Sequence, residues 1–581
     1  MDKRIKLNKQ HPLSKAPLQL YKHQSDCVEF ALNTLKKQHW FSLVHDAGLG
    51  KTATLIATWV NLRKKHKNLR LVVSCPACTL KDVWEEHIRV WLPENVSLLV
   101  VDKTTKLAEE QNYDVILITR NIVARAFVNC WKWEEKSVVF TDAAGRTREK
   151  GSFVERFPSK KSLLFKSRHD YPFLFVIDES HYLRNYGEHK VCLQAHHEIS
   201  KNCKFAIINT ATPVCNRPED VAAQLYSIAV DIRGKGYDSF SDQDVKDTAN
   251  PKKWKIGKYV IAQIPPTIFQ NNSHRKTEDI LKLPKILRRT FFFELQLNKK
   301  HARIYNHHLN IARQAKASMK EGADKETMLE LLNAITKMRQ MVVHPKLEKH
   351  TAKGLTDSVL RKIAASPSPM LQNFSRLIHF LQTKKNHDKI IVFGLHTNSV
   401  MKIAIQRIQQ DSPSTSCSLY SGALNQKQRS DIVKHFLAPS SKKQILFIQM
   451  IAGGVGLNLV PGPTAAVFIQ QSWNPMDHLQ AYKRIHRIGQ NKNVEIYNIV
   501  CKDTPDFAIS KLHKDKIKAA DAVNNADNLK ALNDKPWRTQ ARAVDLCSPA
   551  AIDEDESSDE DEDSSDDEES SDEESASSDD E

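Results

Sequence analysis

The sequence has no apolar stretch near the roughly 18 consecutive residues that a membrane-spanning helix needs, and Met1 to Leu7 lack the apolar core of a secretory signal. Cysteine is also scarce, because ten cysteines at irregular spacing in 581 residues do not form a disulfide framework. Cys75 and Cys78 have no second close pair to complete a zinc site, so we interpret them as part of a loop after a buried strand. The sequence also has no solenoid-like repeat. These absences predict a soluble intracellular protein without a disulfide framework and without a zinc site at Cys75 and Cys78.

Basic residues are missing from the C-terminal end of the chain. Residues 553–581 contain 19 Asp or Glu, nine Ser and one Ala, and they have too little apolar surface to fold, so we predict a disordered tail. The preceding 552 residues carry 86 basic against 50 acidic side chains, a net charge of +36, whereas the whole chain carries +17. A body this basic favours a polyanionic partner, and nucleic acid is the first candidate.

Short apolar runs bounded by polar residues recur along the chain and predict buried strands. Longer and more polar stretches between the runs suit helices, and this alternation predicts parallel sheets with helical crossovers. The series stops between about residues 235 and 370, where a helical pattern occurs around 325–341. The runs span residues 41–44, 71–73, 115–118, 173–177, 205–208, 389–393, 445–448 and 465–469.

The predicted fold class is therefore α/β, with two parallel-sheet lobes and a helical insert between them. We place the first lobe at residues 18–235, the helical insert and linker at 236–370 and the second lobe at 371–515. An N-terminal extension at 1–17, a weakly structured extension at 516–552 and the acidic tail at 553–581 complete the predicted organisation.

A segment with the sequence HDAGLGKT lies between the first predicted strand and a predicted helix. In such a loop, glycines let the backbone approach a phosphate, amide groups at the start of the helix bind its oxygens, a lysine neutralises charge and a hydroxyl binds Mg²⁺. A strict phosphate-loop pattern would begin with glycine instead of histidine, and an ordinary strand-to-helix turn is the alternative. The candidate nucleotide-binding residues are His45, Asp46, Ala47, Gly48, Leu49, Gly50, Lys51 and Thr52.

Two adjacent carboxylates, Asp178 and Glu179, follow the apolar run at 173–177. Residues at the carboxyl end of a parallel strand face the usual ligand crevice. Asp178 can hold Mg²⁺ through water, while Glu179 can orient and deprotonate an attacking water. With Lys51 upstream, the pair predicts hydrolysis of a nucleotide, with ATP and Mg²⁺ as the expected ligands.

The segment 480–490 carries two arginines, Arg484 and Arg487, whose spacing puts them on one face of a predicted helix. Arginines supplied by a second lobe can stabilise charge on a transferring γ-phosphate once the lobes close. The alternative for this segment alone is a solvated basic helix.

These elements, in this order, resemble the Swi/Snf-type ATPases of helicase superfamily 2, and the resemblance spans about residues 18–500. It implies two RecA-like lobes, an adenine-reading role for Gln24 within residues 20–24, and a place for Gly456 in the nucleotide site. Other segments similar to the family's motifs are Ser74–Pro76 with Trp84–Glu85, Val115–Thr119, Thr210–Pro213, Met338–Gln340 with His344–Pro345, Ala452–Leu459, Trp473–Pro475 and His486–Gln490.

The sequence departs from the family pattern at three positions: His45 replaces an acidic residue, Ala211 replaces glycine, and Ile451 stands where a basic residue is usual. Residues 178–181 together with 213–220 look most like the branch that contains annealing helicases. No cysteine lies between positions 215 and 417, so the RING finger that some relatives insert is missing.

The resemblance implies an ATP-driven translocase on double-stranded DNA that acts in chromatin remodelling, transcription or DNA repair, with a nuclear location. The acidic tail could contact histones or other chromatin proteins. One alternative is a strand-separating RNA or DNA helicase, although the usual last motif of those enzymes has glycine before the first arginine and ends in Gly-Arg, where this chain has Lys483 and Gln490. A second alternative is a DNA-binding scaffold without turnover, although Lys51, Asp178, Glu179 and both arginines are present.

Overall fold

The computed structural model describes residues 19–101, 113–141, 147–158, 172–184, 190–213, 219–228, 271–281, 283–322, 325–348, 355–450, 457–513 and 543–551. The N-terminal extension, the acidic tail, Ile451, Gly456 and the segment 214–218 used to place the chain in a branch lie outside these residues. Within them, no helix combines the length and apolarity that crossing a membrane requires, and eight of the cysteines are free thiols.

The first lobe is built on a seven-stranded sheet in which every neighbouring pair is parallel. Its strand order is β3-β4-β2-β7-β8-β1-β9. The strands are β1 (Trp40–His45), β2 (Arg70–Cys75), β3 (Leu98–Val101), β4 (Val115–Thr119), β7 (Phe173–Asp178), β8 (Phe205–Asn209) and β9 (Ser273–Lys276).

Helices pack on this sheet. The apolar residues of the helices and strands together form two separate cores. Along β7, Phe173, Phe175 and Ile177 belong to one cluster, while Leu174 and Val176 belong to the other. A strand buried on both faces needs apolar side chains at successive positions, which explains the continuous apolar runs in the sequence. The helices are α1 (Lys22–Lys37), α2 (Lys51–Lys65), α3 (Glu86–Trp91), α4 (Arg120–Cys130), α5 (Lys190–Asn202) and α6 (Glu219–Ser227).

The second lobe has a six-stranded, fully parallel sheet with the order β10-β15-β14-β11-β13-β12. The predicted α/β class with two parallel-sheet lobes is confirmed. The strands are β10 (Ile286–Phe293), β11 (Lys389–Gly394), β12 (Ser416–Tyr420), β13 (Gln444–Gln449), β14 (Ala465–Phe468) and β15 (Val494–Cys501). The helices from residue 299 onward include α7 (Lys299–Gly322), α8 (Lys325–Val343), α9 (Asp357–Ala365), α10 (Pro369–Thr383), α11 (Lys402–Asp411), α12 (Gln426–Leu437) and α13 (Pro475–Tyr482).

The segment predicted as a helical insert, residues 236–370, contains two strands in addition to helices. β9 adds to the edge of the first sheet beside β1, and β10 adds to the edge of the second sheet beside β15. The chain therefore passes from one sheet to the other between Lys276 and Ile286. Helices α7 and α8 then pack on each other around a separate apolar cluster that includes Tyr305, Leu309 and Met338.

Two further features differ from the sequence prediction. An antiparallel hairpin, β5 (Trp131–Thr141) and β6 (Thr147–Pro158), interrupts the first lobe between α4 and β7. Residues 543–551, predicted to be weakly structured, pack on the α7–α8 pair because Val544 and Cys547 are buried in its apolar cluster. Asn306 of α7 exchanges two hydrogen bonds with the backbone of Ala550, which fixes the end of this segment.

Helix α13 belongs to the second lobe and packs against the first lobe as well. Asn474 caps it by accepting a hydrogen bond from the backbone N–H of Met476, and Pro475 occupies its first position. Met476 is buried in the apolar core of the first lobe, and Leu479 packs against cores of both lobes. The lobes are therefore in contact through this helix.

Candidate active site

The candidate site lies where the strands of the first sheet end and the second lobe approaches. Parallel strands bring their carboxyl ends to one edge, so the loop after β1 and the carboxylates at the end of β7 share that edge. The turn after α13 faces them from the second lobe. Each predicted site residue outside the unplaced Gly456 is therefore in this region or directly beside it.

The loop between β1 and α2 depends on glycine at two positions. Gly48 has φ +91° and Gly50 has φ +72°, both in the left-handed region that disfavours side chains. Gly50 is the N-cap of α2, and a Cβ at this position would lie 2.2 Å from Nε2 of Gln24. The loop thus places the first backbone N–H groups of α2 at the site, where they can bind an anion.

Lys51 begins α2, and its ammonium group lies beside the loop. Its Nζ donates hydrogen bonds to the carbonyl oxygens of His45, at 3.0 Å, and Asp46, at 3.3 Å. Burial lowers the pKa of Lys51, while the nearby carboxylates of Glu179 and Asp178 oppose that shift. A phosphate in the loop would give this buried cation a charged partner.

Gln24 of α1 lies against the same loop. Its Oε1 accepts a hydrogen bond from the backbone N–H of Tyr21, and its Nε2 donates to the carbonyl oxygens of Leu49 and Gly50, each at 3.3 Å. His23 also approaches Leu49 O, at 3.0 Å from its Nε2. Gln24 is therefore positioned at the phosphate loop, and its contact with adenine stays a prediction.

Asp178 is held rigidly at the end of β7. Its Oδ2 accepts a hydrogen bond from Trp84 Nε1 at 2.8 Å, and its Oδ1 accepts one from Asn209 Nδ2 at 2.6 Å. Burial and the charge of Glu179 raise the pKa of Asp178 to about 6. Sequence reasoning did not identify Asn209, although it ends β8 directly beside Asp178 in the sheet register.

Glu179 follows in a left-handed conformation, with φ +49°, that is unusual outside glycine. Its Oε2 lies 3.2 Å from Nδ1 of His181, and the same nitrogen lies 2.9 Å from Oγ1 of Thr210. Burial alone would raise the pKa of Glu179, but the hydrogen bond and charge of His181, together with Lys51, hold it below its usual value. The carboxylate is therefore ionised and connected to the segment after β8.

Oxygen ligands for Mg²⁺ are available beside Lys51. Thr52, in the first turn of α2, supplies a hydroxyl, and Asp178 supplies a carboxylate whose pKa is raised by burial and by the charge of Glu179. Hard oxygen donors of this kind fit Mg²⁺, and a bound dication would favour the ionised carboxylate. The donor set is therefore consistent with the predicted metal.

The two predicted arginines come from a turn and not from a helical face. Helix α13 ends at Tyr482, and Gly489, with φ +98°, helps the following turn to reverse direction. Arg484 is only 9% exposed, so the alternative of a solvated basic helix does not describe this segment. The segment is a tight turn instead of a helix, because the backbone N–H groups of Arg484 and Ile485 donate hydrogen bonds to carbonyl oxygens three residues earlier.

Both arginines face the phosphate-loop side of the first lobe. Burial lowers the pKa of Arg484 to about 10, assisted by Arg487, while the charge of Glu179 acts in the opposite direction across the lobes. A Cβ on Gly48 would lie 3.1 Å from Cβ of Arg487. The structure thus brings Lys51, Glu179 and both arginines into one region.

Lys483 is a third basic residue of the second lobe at this site, and sequence reasoning did not assign it a role. It is 2% exposed. Burial lowers its pKa to about 8, with Asp46 opposing and Lys51 adding to the shift. The sequence feature that could have identified Lys483 is its position directly before Arg484, where strand-separating helicases have glycine.

Two domain families match the chain in consecutive regions. The SNF2-related domain matches residues 23–347, which is more than half of the chain, and the helicase conserved C-terminal domain matches residues 372–489. Residues 348–371 separate the two matches, and the crossing from the first sheet to the second, at residues 277–285, lies within the first match.

Curated relatives come from several organisms. Transcription termination factor 2 of Drosophila melanogaster is 36% identical over 157 residues, 27% of this chain and 14% of that protein. The probable global transactivator of Orgyia pseudotsugata multicapsid polyhedrosis virus is 24% identical over 331 residues, 56% of this chain and 61% of that protein. ISWI chromatin-remodeling complex ATPase ISW1 of Saccharomyces cerevisiae is 24% identical over 532 residues, 89% of this chain and 42% of that protein. The chain thus spans less than two thirds of each relative.

Among solved structures, the Sulfolobus solfataricus SWI2/SNF2 ATPase core in complex with dsDNA is similar at 21% identity, with a TM-score of 0.34 over 90% of this chain and 96% of that chain. The family assignment rests on the domain matches and not on this similarity. With an SNF2-related domain followed by a helicase C-terminal domain, the chain belongs to the SNF2-like ATPases of helicase superfamily 2.

Proposed function

We propose that this protein hydrolyses ATP between its two lobes and uses the cycle of lobe closure and reopening to move along double-stranded DNA. The observation that carries the proposal is the packing of Arg487 from the second lobe against Gly48 of the phosphate loop, with Arg484 in electrostatic contact with Glu179 across the lobes. Neither lobe alone contains this set of groups. Hydrolysis would therefore require the lobes to be engaged, which is how a chemical step can be coupled to motion.

The first lobe supplies binding and water activation. The N–H groups at the start of α2 and the Lys51 ammonium bind phosphate oxygens, and Thr52 and Asp178 would hold Mg²⁺. Bound Mg²⁺ would neutralise charge on the phosphate oxygens. Glu179, fixed by His181, orients the attacking water and accepts its proton.

The second lobe supplies cations that act on the transferring phosphoryl group. Arg484 and Arg487 stabilise negative charge that develops as the bond to the leaving group breaks. Arg484 is buried and Arg487 is partly buried, so they bind the phosphate in a site with restricted access to water, and this strengthens the interaction.

Duplex DNA is the proposed track. The net charge of +36 over residues 1–552 supports binding to phosphates, which positions a protein on DNA without reading its sequence. The names of similar proteins refer to transcription termination and chromatin remodelling, and these support a nuclear role in transcription, chromatin remodelling or DNA repair. Histones or other chromatin proteins are proposed partners of the acidic tail.

The test is an ATPase assay that compares no nucleic acid, duplex DNA, forked DNA, single-stranded DNA and RNA. We expect duplex DNA to give the strongest stimulation, displacement of a triplex-forming third strand to report movement, and a tailed duplex to stay paired. Glu179→Gln, purified in parallel, controls for contaminating ATPase. Efficient separation of RNA duplexes with little response to DNA would instead support the strand-separating helicase, and hydrolysis no higher than in the control would support the scaffold.

A further inference from the structure

Three side chains that commonly bind metals meet behind the phosphate loop. Cys27 comes from α1, His45 is the last residue of β1, and His274 belongs to β9. One ligating atom from each lies within 4.8 Å of the other two. The carbonyl oxygen of His45 accepts a hydrogen bond from Lys51 in the phosphate loop, whereas the His45 side chain belongs to this separate cluster.

The two imidazoles already contact each other. Nε2 of His45 lies 2.8 Å from Nδ1 of His274, so one nitrogen donates a proton and the other accepts it. The side chain of His45 is fully buried, and its Nδ1 has no hydrogen-bond partner. A buried polar atom without a partner is costly in a stable fold and indicates an interaction that this protein-only arrangement does not supply.

The chemistry of the three donors selects the kind of cation. One cysteine sulfur and two imidazole nitrogens suit a borderline-soft divalent cation such as Zn²⁺, and they suit Mg²⁺ or Ca²⁺ poorly. Burial lowers the pKa of both His45 and His274, so both rings are in the neutral form that binds metals. Burial raises the pKa of the Cys27 thiol, whose proton a bound metal would displace.

The surrounding charges also matter for a dication. Lys276 and Lys51 are close enough to influence His45, and they disfavour added positive charge. Asp26 acts in the opposite direction near Cys27, and the thiolate itself contributes one negative charge. The site would therefore hold a Zn²⁺–thiolate pair, for which the remaining excess charge is close to one unit.

We propose that Cys27, His45 and His274 form a binding site for one Zn²⁺-like cation, with water as a fourth ligand. Binding would form one metal–nitrogen bond of about 2.1 Å to each imidazole and one metal–sulfur bond of about 2.3 Å to Cys27. The metal would join α1, β1 and β9. It would stiffen the phosphate loop, because Gln24 lies one turn before Cys27 and Asp46 follows His45 directly.

The experiment uses the full chain, stripped of metal and free of nucleotide, with Co²⁺ as a spectroscopic probe. We expect one equivalent of Co²⁺ to give a thiolate-to-cobalt charge-transfer band and an intense visible spectrum typical of four-coordination, both removed by Zn²⁺. Cys27→Ser should abolish the charge-transfer band. His274→Gln, at a partly exposed position, should weaken Co²⁺ binding by more than about tenfold.

Cys547→Ser is the matched control, because Cys547 is also buried but lies in the α7–α8 cluster. It should retain both the band and the affinity. The proposal is overturned if the wild type shows no charge-transfer band, if Cys27→Ser retains it, or if Cys547→Ser loses it. Should Cys27→Ser fail to fold, His274→Gln decides, since an unchanged Co²⁺ affinity and an unchanged rise of the thermal midpoint with Zn²⁺ would contradict the site.

Discussion

Glu179 shows how a single side chain is prepared for one task. Its backbone is left-handed at φ +49°, and its Oε2 lies 3.2 Å from Nδ1 of His181. Strained conformations of this kind persist where the surrounding structure enforces them, and they cluster at functional sites. The same histidine contacts Thr210, so the state of the carboxylate is connected to the segment after β8.

Replacing the charged groups of the first lobe should separate binding from hydrolysis. Glu179→Gln should lower kcat by about 10²–10⁴ while retaining ATP affinity, because the amide cannot accept the proton of water. Lys51→Ala should remove turnover and weaken ATP binding as well, because the phosphates lose a fixed cation. Steady-state hydrolysis and nucleotide-binding titrations check both. Glu198→Gln, on α5 away from the site, should behave as wild type, and a wild-type rate in either site variant would remove that residue from the mechanism.

His196 predicts a dependence of stability on pH. It is fully buried and contacts Ser74 Oγ at 2.7 Å, and burial lowers its pKa from 6.5 to about 4. Between these values the unfolded chain binds more protons than the folded protein, so stability is complete above about pH 6.5 and is lost as the pH falls towards 4. From about pH 7 to about pH 5 the loss for this residue should be about 2 kcal/mol.

The measurement is urea unfolding of the wild type and His196→Gln at both pH values. Gln keeps a polar group near Ser74 but does not titrate. The variant should therefore lose less stability on acidification than the wild type, whatever its stability at neutral pH. Equal losses in the two proteins would contradict the assignment.

Elements of secondary structure were predictable where burial imposes a pattern. Central strands such as β7 and β11 need apolar residues at every position, and this produces unmistakable runs. β9 has only four partly buried residues with the sequence SHRK, and β10 is largely exposed at its edge, so neither carries that pattern.

Lys51, Asp178 and Glu179 could be chosen from local motifs, whereas Asn209 and Lys483 acquire their positions only through tertiary contacts.

The turn after α13 should govern hydrolysis without governing ATP binding. Arg484→Ala and Arg487→Ala should each lower DNA-stimulated kcat by about 10²–10³, because charge on the phosphoryl group loses a buried partner. ATP affinity should change little, since the first lobe makes the binding contacts. Arg376→Ala, at an exposed position on α10, provides the control. A loss of ATP affinity as large as the loss of turnover would show that the arginines act in binding.

Helix α8 is joined to the second lobe by a buried ion pair. Arg339 Nη2 lies 2.6 Å from Asp506 Oδ1, with side chains 4% and 7% exposed, and it also donates to Gln471 O. Asp506→Ala should destabilise the protein by about 3–5 kcal/mol, because it leaves a buried guanidinium without its carboxylate. Glu294→Ala breaks the exposed pair with Lys502 and should cost about 1 kcal/mol or less. Thermal and urea unfolding compare them, and equal effects would contradict the distinction.

At the scale of the whole molecule, the basic body and the acidic tail are opposite in charge and are joined through residues 543–551. Lys316 contacts Asp545, and Arg313 donates to Cys547 O, so this segment is held to α7 from two positions. The tail therefore starts at a fixed place on the body, from which its 19 carboxylates can compete with DNA for basic side chains.

Removing residues 553–581 should tighten non-specific DNA binding by about tenfold at low salt, because an intramolecular polyanion is lost. The gain should shrink as salt screens both interactions, and phosphorylated serines should increase the competition in the full chain. A salt series of DNA affinities for the full chain and for residues 1–552 measures the effect. Equal affinities at every salt concentration would leave the tail without a competitive role.

The passage of the chain from β9 to β10 limits how far the two lobes can separate. Nine residues, 277–285, join the edge of one sheet to the edge of the other. Fully extended, this segment spans about 30 Å, so the two sheet edges that it joins cannot lie farther apart than that. The first lobe therefore encounters Arg484 of the same molecule at an effective concentration in the millimolar range. This is far above the concentration of Arg484 supplied by neighbouring molecules. Turnover per molecule should accordingly be independent of dilution. The length of this segment also limits how far the lobes can separate during one catalytic cycle.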